Sequence, residues 1–309
     1  MTGGALSRLD PRSMAMHVLI TGIAAFLGAP LARGLILAGY RVTGIRRGNH
    51  PRVDRLKADC PALEIVEADL SEEGAFDVLP RDIDAVVHLA ATSPIPGRGL
   101  AQMFDDNVRA TRNLIEHATR YGTRRFIYTS SLSVHGSIRE SEVTENTPIV
   151  DPGPYGTTKR LAEMLFADAA DRIDTVALRL PGVLGPGAHR LWLTRTLDDA
   201  RAGRDIGIYS PEAAFNNAAY TTDLASFVAR LLEGDWKGFH VMPVAADGTT
   251  TVRGAAETVI RLAGSSSRIV VRPSKRASFT VSSRRAIEEF GYRPLHIEAM
   301  LKQFVKDNS

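Results

Sequence analysis

Six short runs of mainly aliphatic and β-branched residues recur through the first 180 positions: His17 to Ile20, Arg41 to Ile45, Leu63 to Glu67, Ala85 to Leu89, Phe126 to Thr129 and Thr175 to Leu178. Their apolar positions are close to continuous rather than alternating, as in strands buried on both faces of a parallel sheet. Between them, Leu27 to Ala38, Phe104 to Tyr121 and Tyr155 to Ala170 carry apolar residues at helical spacing. The alternation predicts βαβ units with right-handed crossovers, hence an α/β fold built on a Rossmann-type, doubly wound parallel sheet. After Pro181-Gly182-Val183-Leu184-Gly185-Pro186-Gly187 the regular alternation gives way to shorter elements.

The stretch from His17 to Tyr40, with Arg8 and Arg12 upstream, is apolar enough to imitate a signal peptide or membrane anchor. Arg33, Pro30 and the glycines interrupt it, and it reads better as strand, glycine turn and helix, so no membrane association is expected. At 309 residues and 44% hydrophobic, the chain has enough apolar material for one large core with a smaller lobe. The net charge of +3 is spread without a run of five like charges, so the pI near 9.1 implies no nucleic-acid partner. The single Cys60 excludes a disulfide framework and a cysteine metal cluster, and it matches a cytoplasmic location.

Thr21-Gly22-Ile23-Ala24-Ala25-Phe26-Leu27-Gly28 follows the first strand and opens a helix, the setting of a dinucleotide-binding turn. Gly22 permits the tight turn and Gly28 close packing of helix on strand, while Ala25 stands where a glycine is expected and needs a negative φ. About twenty residues on, where an acid would accept from the ribose 2′-hydroxyl of NAD, the second strand ends in Arg46-Arg47. Guanidinium donors there suit the 2′-phosphate of NADP, which is preferred over NAD. Asp69, just after the third strand, is placed to accept from the adenine amino group or to cap its loop. The predicted organisation is a disordered extension over residues 1–15, a dinucleotide-binding Rossmann domain over 16–180, and a mainly substrate-binding lobe over 181–309 with some elements returning to the main sheet.

Tyr155 and Lys159 lie four apart in a helical stretch and so share one face. Of 32 Arg and 6 Lys, Lys159 is the sole Lys between Lys57 and Lys237, so an ammonium stands here in an arginine-rich chain. A phenol beside an ammonium is acid/base chemistry, because a free phenol has a pKa of about 10 and needs a neighbouring cation to ionise near neutrality. The hydroxyl cluster Thr129-Ser130-Ser131-Leu132-Ser133 closes the fifth strand, at the edge where open α/β sheets carry their sites.

With Ser131 twenty-four residues before Tyr155, the chain from Met16 onward resembles the extended short-chain dehydrogenase/reductase family, also called the NAD-dependent epimerase/dehydratase family, in its nucleotide-sugar branch. The resemblance includes His88-Leu89-Ala90-Ala91, Asn107-Val108 through Asn113-Leu114, Leu178-Arg179, Tyr220-Thr221-Thr222-Asp223-Leu224-Ala225 and Gly291-Tyr292-Arg293-Pro294. It implies that Tyr155 is the acid/base, that Lys159 grips the nicotinamide ribose, and that Ser131 hydrogen-bonds the reacting oxygen, with Ser130 and Ser133 as alternatives. It implies cofactor contacts from Tyr155 and Lys159 themselves and from Gly22, Ala25, Phe26, Leu27, Gly28, Arg46, Arg47, Asp69, Leu70, Leu89, Ala90, Ala91 and Pro181. Substrate contacts are implied for Thr92, Ser93, Ser131, Ser133, Asn216 and Asn217, with Pro94 and Ile95 continuing the loop that Thr92 opens.

His135 replaces the usual Tyr of the family's Ser-Ser-x-x-Val-Tyr-Gly pattern and is given a packing role, and Asn107 is read as structural. Asn216 stands where relatives commonly carry an Arg for the nucleoside diphosphate, which passes that role to Arg190, Arg195, Arg201 or Arg204. The favoured function is an NADP-linked reductase of a keto group on a nucleotide-bound deoxysugar, for instance a 4-keto-6-deoxyhexose. The alternatives are a redox-neutral NAD-dependent epimerase or dehydratase, a reductase of a non-sugar carbonyl, and a non-catalytic cofactor-binding regulator. Arg46 weighs against retained NAD, and Ser131-Leu132 lacks the Asp-Glu that dehydratases commonly place there. The resemblance also implies a homodimer through the helices around Phe104 to Tyr121 and Tyr155 to Ala170.

Overall fold

The computed structural model describes residues 15–93, 99–273 and 278–309. The predicted extension, apart from residue 15, and the loop residues Pro94 and Ile95 lie outside the described residues.

Seven parallel strands form the central sheet: β1 (His17–Thr21), β2 (Arg41–Arg46), β3 (Glu64–Glu67), β4 (Ala85–His88), β5 (Arg125–Ser131), β6 (Asp174–Leu180) and β7 (Phe239–Pro243). Their order is β7-β6-β5-β4-β1-β2-β3, so the chain winds outward in both directions from β1. The reversal between β1 and β4 opens a crevice at their carboxyl ends. Alternate β1 side chains face opposite layers, as strand geometry requires. Val18 and Ile20 pack with Leu31 and Leu35 of α1 (Gly28–Leu37), and Leu19 packs with Val86, Phe126 and Tyr128 on the other face.

The helices supply the covering layers. After α1 come α2 (Pro51–Asp59), α3 (Leu100–Phe104), α4 (Ala110–Arg120), α5 (Pro154–Asp168), α6 (Trp192–Arg201) and α7 (Thr221–Glu233). The last three are α8 (Val252–Leu262), α9 (Arg284–Phe290) and α10 (Ile297–Asp307). Leu224, Phe227 and Leu231 of α7 join the α1 side of the core, while Leu114 of α4 and Phe166 of α5 fill the other side. A separate apolar cluster joins Leu193 and Leu197 of α6, Val259 of α8 and Met300, Leu301 and Phe304 of α10. Thus β7, although it follows residue 181, extends the main sheet by pairing with β6.

One helix differs from its sequence prediction. Phe104 to Tyr121 is not uniformly α-helical, because Asp105–Arg109 is wound as a π-helix between α3 and α4. The wider turn accompanies Asp106 and Asn107 facing inward, buried, where Asn107 bonds both the N–H and the carbonyl of Thr92 at 2.7 and 3.0 Å. Among the described residues no helix is long and apolar enough to cross a membrane.

Candidate functional site

A cavity of about 430 Å³ occupies the crevice at the carboxyl ends of β1, β2, β3 and β4. Ten residues singled out from the sequence line it: Gly22, Ala25, Arg46, Arg47, Asp69, Leu70, Leu89, Ala90, Ala91 and Thr92. Gly22 has φ +67°, and a Cβ there would lie 2.7 Å from the Ala90 backbone nitrogen, so only glycine allows this approach of the turn to β4. Gly28 sits outside the lining, where a Cβ would lie 2.4 Å from the Ile23 carbonyl oxygen, and this sets α1 tightly against the turn. Ala25 is not among the described non-glycine residues with positive φ, so its methyl group is compatible with the turn. Phe26 instead meets the His189 ring edge-on at 6.4 Å, joining the turn to the segment that precedes α6.

Charge concentrates where β2 and β3 end. Arg46 Nη1 lies 3.1 Å from Asp54, and its Nε, buried and without a hydrogen bond, stands 3.7 Å from Glu67. Arg47 Nη1 donates to Asp69 at 3.3 Å and to Asp106 at 3.1 Å. Burial works to raise the Asp69 carboxyl, but the Ser71 hydroxyl and amide together with Arg47 hold it below the ordinary carboxylate range. The residues fit a dinucleotide: a glycine turn at a helix start, two arginines near the second strand's end and an orphaned buried donor among them.

The residues expected from sequence to do acid/base chemistry stand on the β5 side. Ser131 ends β5 and caps the following turn, its Oγ accepting from Ser133 N–H and donating to Ser133 Oγ, both at 3.1 Å. Tyr155 occupies the first turn of α5 after Pro154, and its phenol hydrogen-bonds Ser93. Burial pushes that phenol up to about 12, with Ser93 acting in the opposite direction. Lys159, one turn on, is fully enclosed and donates to the Thr129 carbonyl at 2.7 Å, with its Nζ 4.6 Å from the Tyr128 ring centre and 5.9 Å from that of Tyr155. Burial pulls its ammonium down to about 7 against the opposing pull of Glu163. Burial therefore keeps the Tyr155 phenol protonated, against the phenolate that the sequence suggested, and leaves the Lys159 ammonium present only below about 7.

Glu163, His88, His50 and Asp106 were given no role by sequence, whereas His135 was given one in packing. Glu163, 0% exposed, accepts from Ser130 at 2.6 Å and from Arg179 at 3.0 and 2.8 Å, which ties the serine strand, β6 and α5 together. His135 contacts Arg179 through Nε2 at 3.2 Å and the Thr147 carbonyl through Nδ1 at 3.1 Å, so its imidazole is a packing and polar bridge. His88 bridges Thr21 and Thr111 at 2.5 and 2.9 Å, and burial, then Lys159, drives its pKa down to about 3, leaving it neutral. His50 and Asp106 line the cavity; only the position of Asp106 beside Asn107 signalled it.

Pro181 follows β6, at the same carboxyl edge of the sheet. Leu27 is buried at the start of α1 and belongs to the core. Asn216 is buried and turned onto backbone, donating to the carbonyls of Ala246 and Val281 and accepting from Val281 N–H. Asn217 donates to the Phe279 carbonyl at 3.2 Å, while its Oδ1 is buried without a partner.

The family model for the NAD dependent epimerase/dehydratase family matches residues 18–242, which includes the glycine turn, Ser131, Tyr155 and Lys159. The chain belongs to that family. The chain is 32% identical over 163 residues to UDP-glucose 4-epimerase 2 of Oryza sativa, covering 49% of this chain and 40% of that one. It is 30% identical over 196 residues to UDP-arabinose 4-epimerase 1 of Arabidopsis thaliana, covering 60% and 46%. The match to UDP-glucose 4-epimerase of Bacillus subtilis is 29% over 174 residues, covering 53% and 51%. The chain thus aligns with about half the length of these relatives. In fold it is similar to UDP-glucuronic acid 4-epimerase from Bacillus cereus in complex with NAD, with a TM-score of 0.80 at 21% identity over 94% of this chain and 96% of that one. It is similar too to dTDP-glucose 4,6-dehydratase from Bacillus anthracis in complex with NAD, with a TM-score of 0.79 at 21% identity and the same coverage.

Proposed function

We propose that this epimerase/dehydratase family member is an oxidoreductase that reduces a keto carbon of a nucleotide-activated deoxysugar, such as a 4-keto-6-deoxyhexose, with exchangeable NADP(H). The nicotinamide, when bound, supplies the hydride for the carbonyl carbon. Tyr155 gives its phenolic proton to the carbonyl oxygen, Ser131 donates a hydrogen bond to that oxygen as charge develops, and Lys159 supplies the positive charge that favours phenolate once the proton has left. The single observation that carries the cofactor choice is the Arg46 guanidinium lining the cavity where β2 offers no acid at the ribose position, its Nε without a hydrogen bond and 3.7 Å from Glu67. By family resemblance the working unit is a homodimer.

The names of the relatives favour a second reading, a redox-neutral nucleotide-sugar 4-epimerase that retains NAD. Mass spectrometry of nucleotides released by denaturing freshly purified protein separates the two. An empty site or partial NADP is expected. Stoichiometric NAD overturns the Arg46 argument in favour of the epimerase.

A further inference from the structure

Arg47 and Asp106 are 59 positions apart and reach the cavity from different walls, one from the turn after β2 and the other from the π-helical segment before α4. Their ion pair closes the gap between those walls at 3.1 Å. The Arg47 side chain is 48% exposed and that of Asp106 only 6%, so the guanidinium forms the outer member at the rim and the carboxylate its buried anchor. The anchor is fixed from behind: Gln102 Nε2 donates to its Oδ1 at 2.9 Å, and the Thr92 hydroxyl donates to its Oδ2. The same Nη1 of Arg47 also meets Asp69 at 3.3 Å.

The adjacent Arg46 is differently placed. Its carboxylate partners, Asp54 and Glu67, are 63% and 60% exposed, and its Nε makes no hydrogen bond, standing 3.7 Å from Glu67. A third anion brought to Arg47 would meet a charge already matched by two carboxylates and would be repelled by both. At Arg46 a phosphate would displace only solvated carboxylates, neither of them anchored in the interior as Asp106 is.

We propose that the Arg47–Asp106 pair is a clasp across the adenosine end of the cofactor cleft that opens for the nucleotide to leave, and that Arg46 alone of the two arginines is the 2′-phosphate ligand. The inference rests on the dinucleotide reading of the cleft, and its first half holds for NAD and NADP alike. Because opening separates charges of which one is buried, the closed clasp slows entry and release alike.

The test is stopped-flow fluorescence of NADPH and NADH release, chased with excess oxidised cofactor, for the native chain, Asp106→Asn, Arg47→Ala and Arg46→Ala. Asp106→Asn is nearly isosteric and keeps acceptors for Gln102 and Arg47, and Arg47 is a half-exposed side chain, so the two clasp variants do not share a folding risk. Both are expected to release both cofactors about tenfold faster, the order set by losing an ion pair with one buried member. The ratio of NADPH to NADH affinity stays unchanged in both. Added salt speeds release from the native chain and not from Asp106→Asn. Arg46→Ala is expected to change the affinity ratio while leaving NADH release alone. Unchanged release from both clasp variants overturns the clasp. Slower NADPH release from Asp106→Asn overturns it too, because Arg47 would then be a phosphate ligand for which Asp106 competes. An unchanged affinity ratio in Arg46→Ala, with faster release from the clasp variants, overturns the phosphate assignment and leaves the clasp standing.

Discussion

Burial moves the two ionising groups of the site in opposite directions, the Tyr155 phenol up to about 12 and the Lys159 ammonium down to about 7. The ammonium is present below about 7 and is lost as pH rises through it, while the phenol keeps its proton over the whole range. Reduction is therefore expected to fall as pH rises through about 7, because the charge that favours departure of the Tyr155 proton disappears; a kcat/KM profile flat from pH 6 to 9 sinks this assignment. Stability runs the other way. In the unfolded chain Lys159 binds its proton up to its ordinary 10.5, so between about 7 and 10.5 the unfolded state holds more protons and stability contributed by this group rises with pH. Urea unfolding at pH 7 and pH 9, for the native chain and Lys159→Met, reads that difference. Tyr155→Phe is expected to lower kcat by roughly 10²- to 10⁴-fold while leaving cofactor affinity unchanged. Equal turnover with the right substrate removes Tyr155 from the chemistry.

At the scale of elements, the parts of the site that depend on backbone were legible and the parts that depend on long-range partners were not. The strands and the glycine turn announce themselves because each is a local pattern: apolar runs for β1 to β6 and Gly22 and Gly28 at the start of a helix. The π-helical winding at Asp105–Arg109 has no local signature, since it accompanies side-chain bonds from Asn107 to Thr92, fifteen residues away. Asn216 illustrates the same limit. Its neighbours in the chain say nothing of Val281, 65 positions on, whose N–H and carbonyl it bonds. Asn216→Ala is accordingly expected to cost about 1–3 kcal/mol of stability by leaving buried backbone groups unpaired. Calorimetry with substrate titration distinguishes this from a ligand contact, which would raise KM without lowering Tm. Gly22→Ala combines a φ of +67° with a 2.7 Å approach to Ala90, so a comparable loss of roughly 1–3 kcal/mol is expected together with weakened cofactor binding.

The whole molecule places Tyr155 and Lys159, the proposed acid/base pair, on a helix that also faces outward. Lys159 and Glu163 of α5 are enclosed, yet Met164 on the same helix is 52% exposed, and Leu100 and Phe104 of the packed neighbour α3 are 58% and 44% exposed. Apolar side chains on adjacent helices are what a second copy would cover, in line with the helix pairing that the family resemblance implies. Such an interface would fix α5 from outside, and with it the depth of Lys159 behind Tyr155, so dimerisation and catalysis would be coupled through one helix. Met164→Glu places a carboxylate in that contact, at a cost on the order of 3 kcal/mol and hence roughly a hundredfold in dimer dissociation constant. Light scattering behind size exclusion is expected to show a dimer for the native chain and a concentration-dependent monomer for the variant, with circular dichroism unchanged. A native chain that is monomeric at tens of micromolar, or a variant that stays dimeric, removes this face from the assembly.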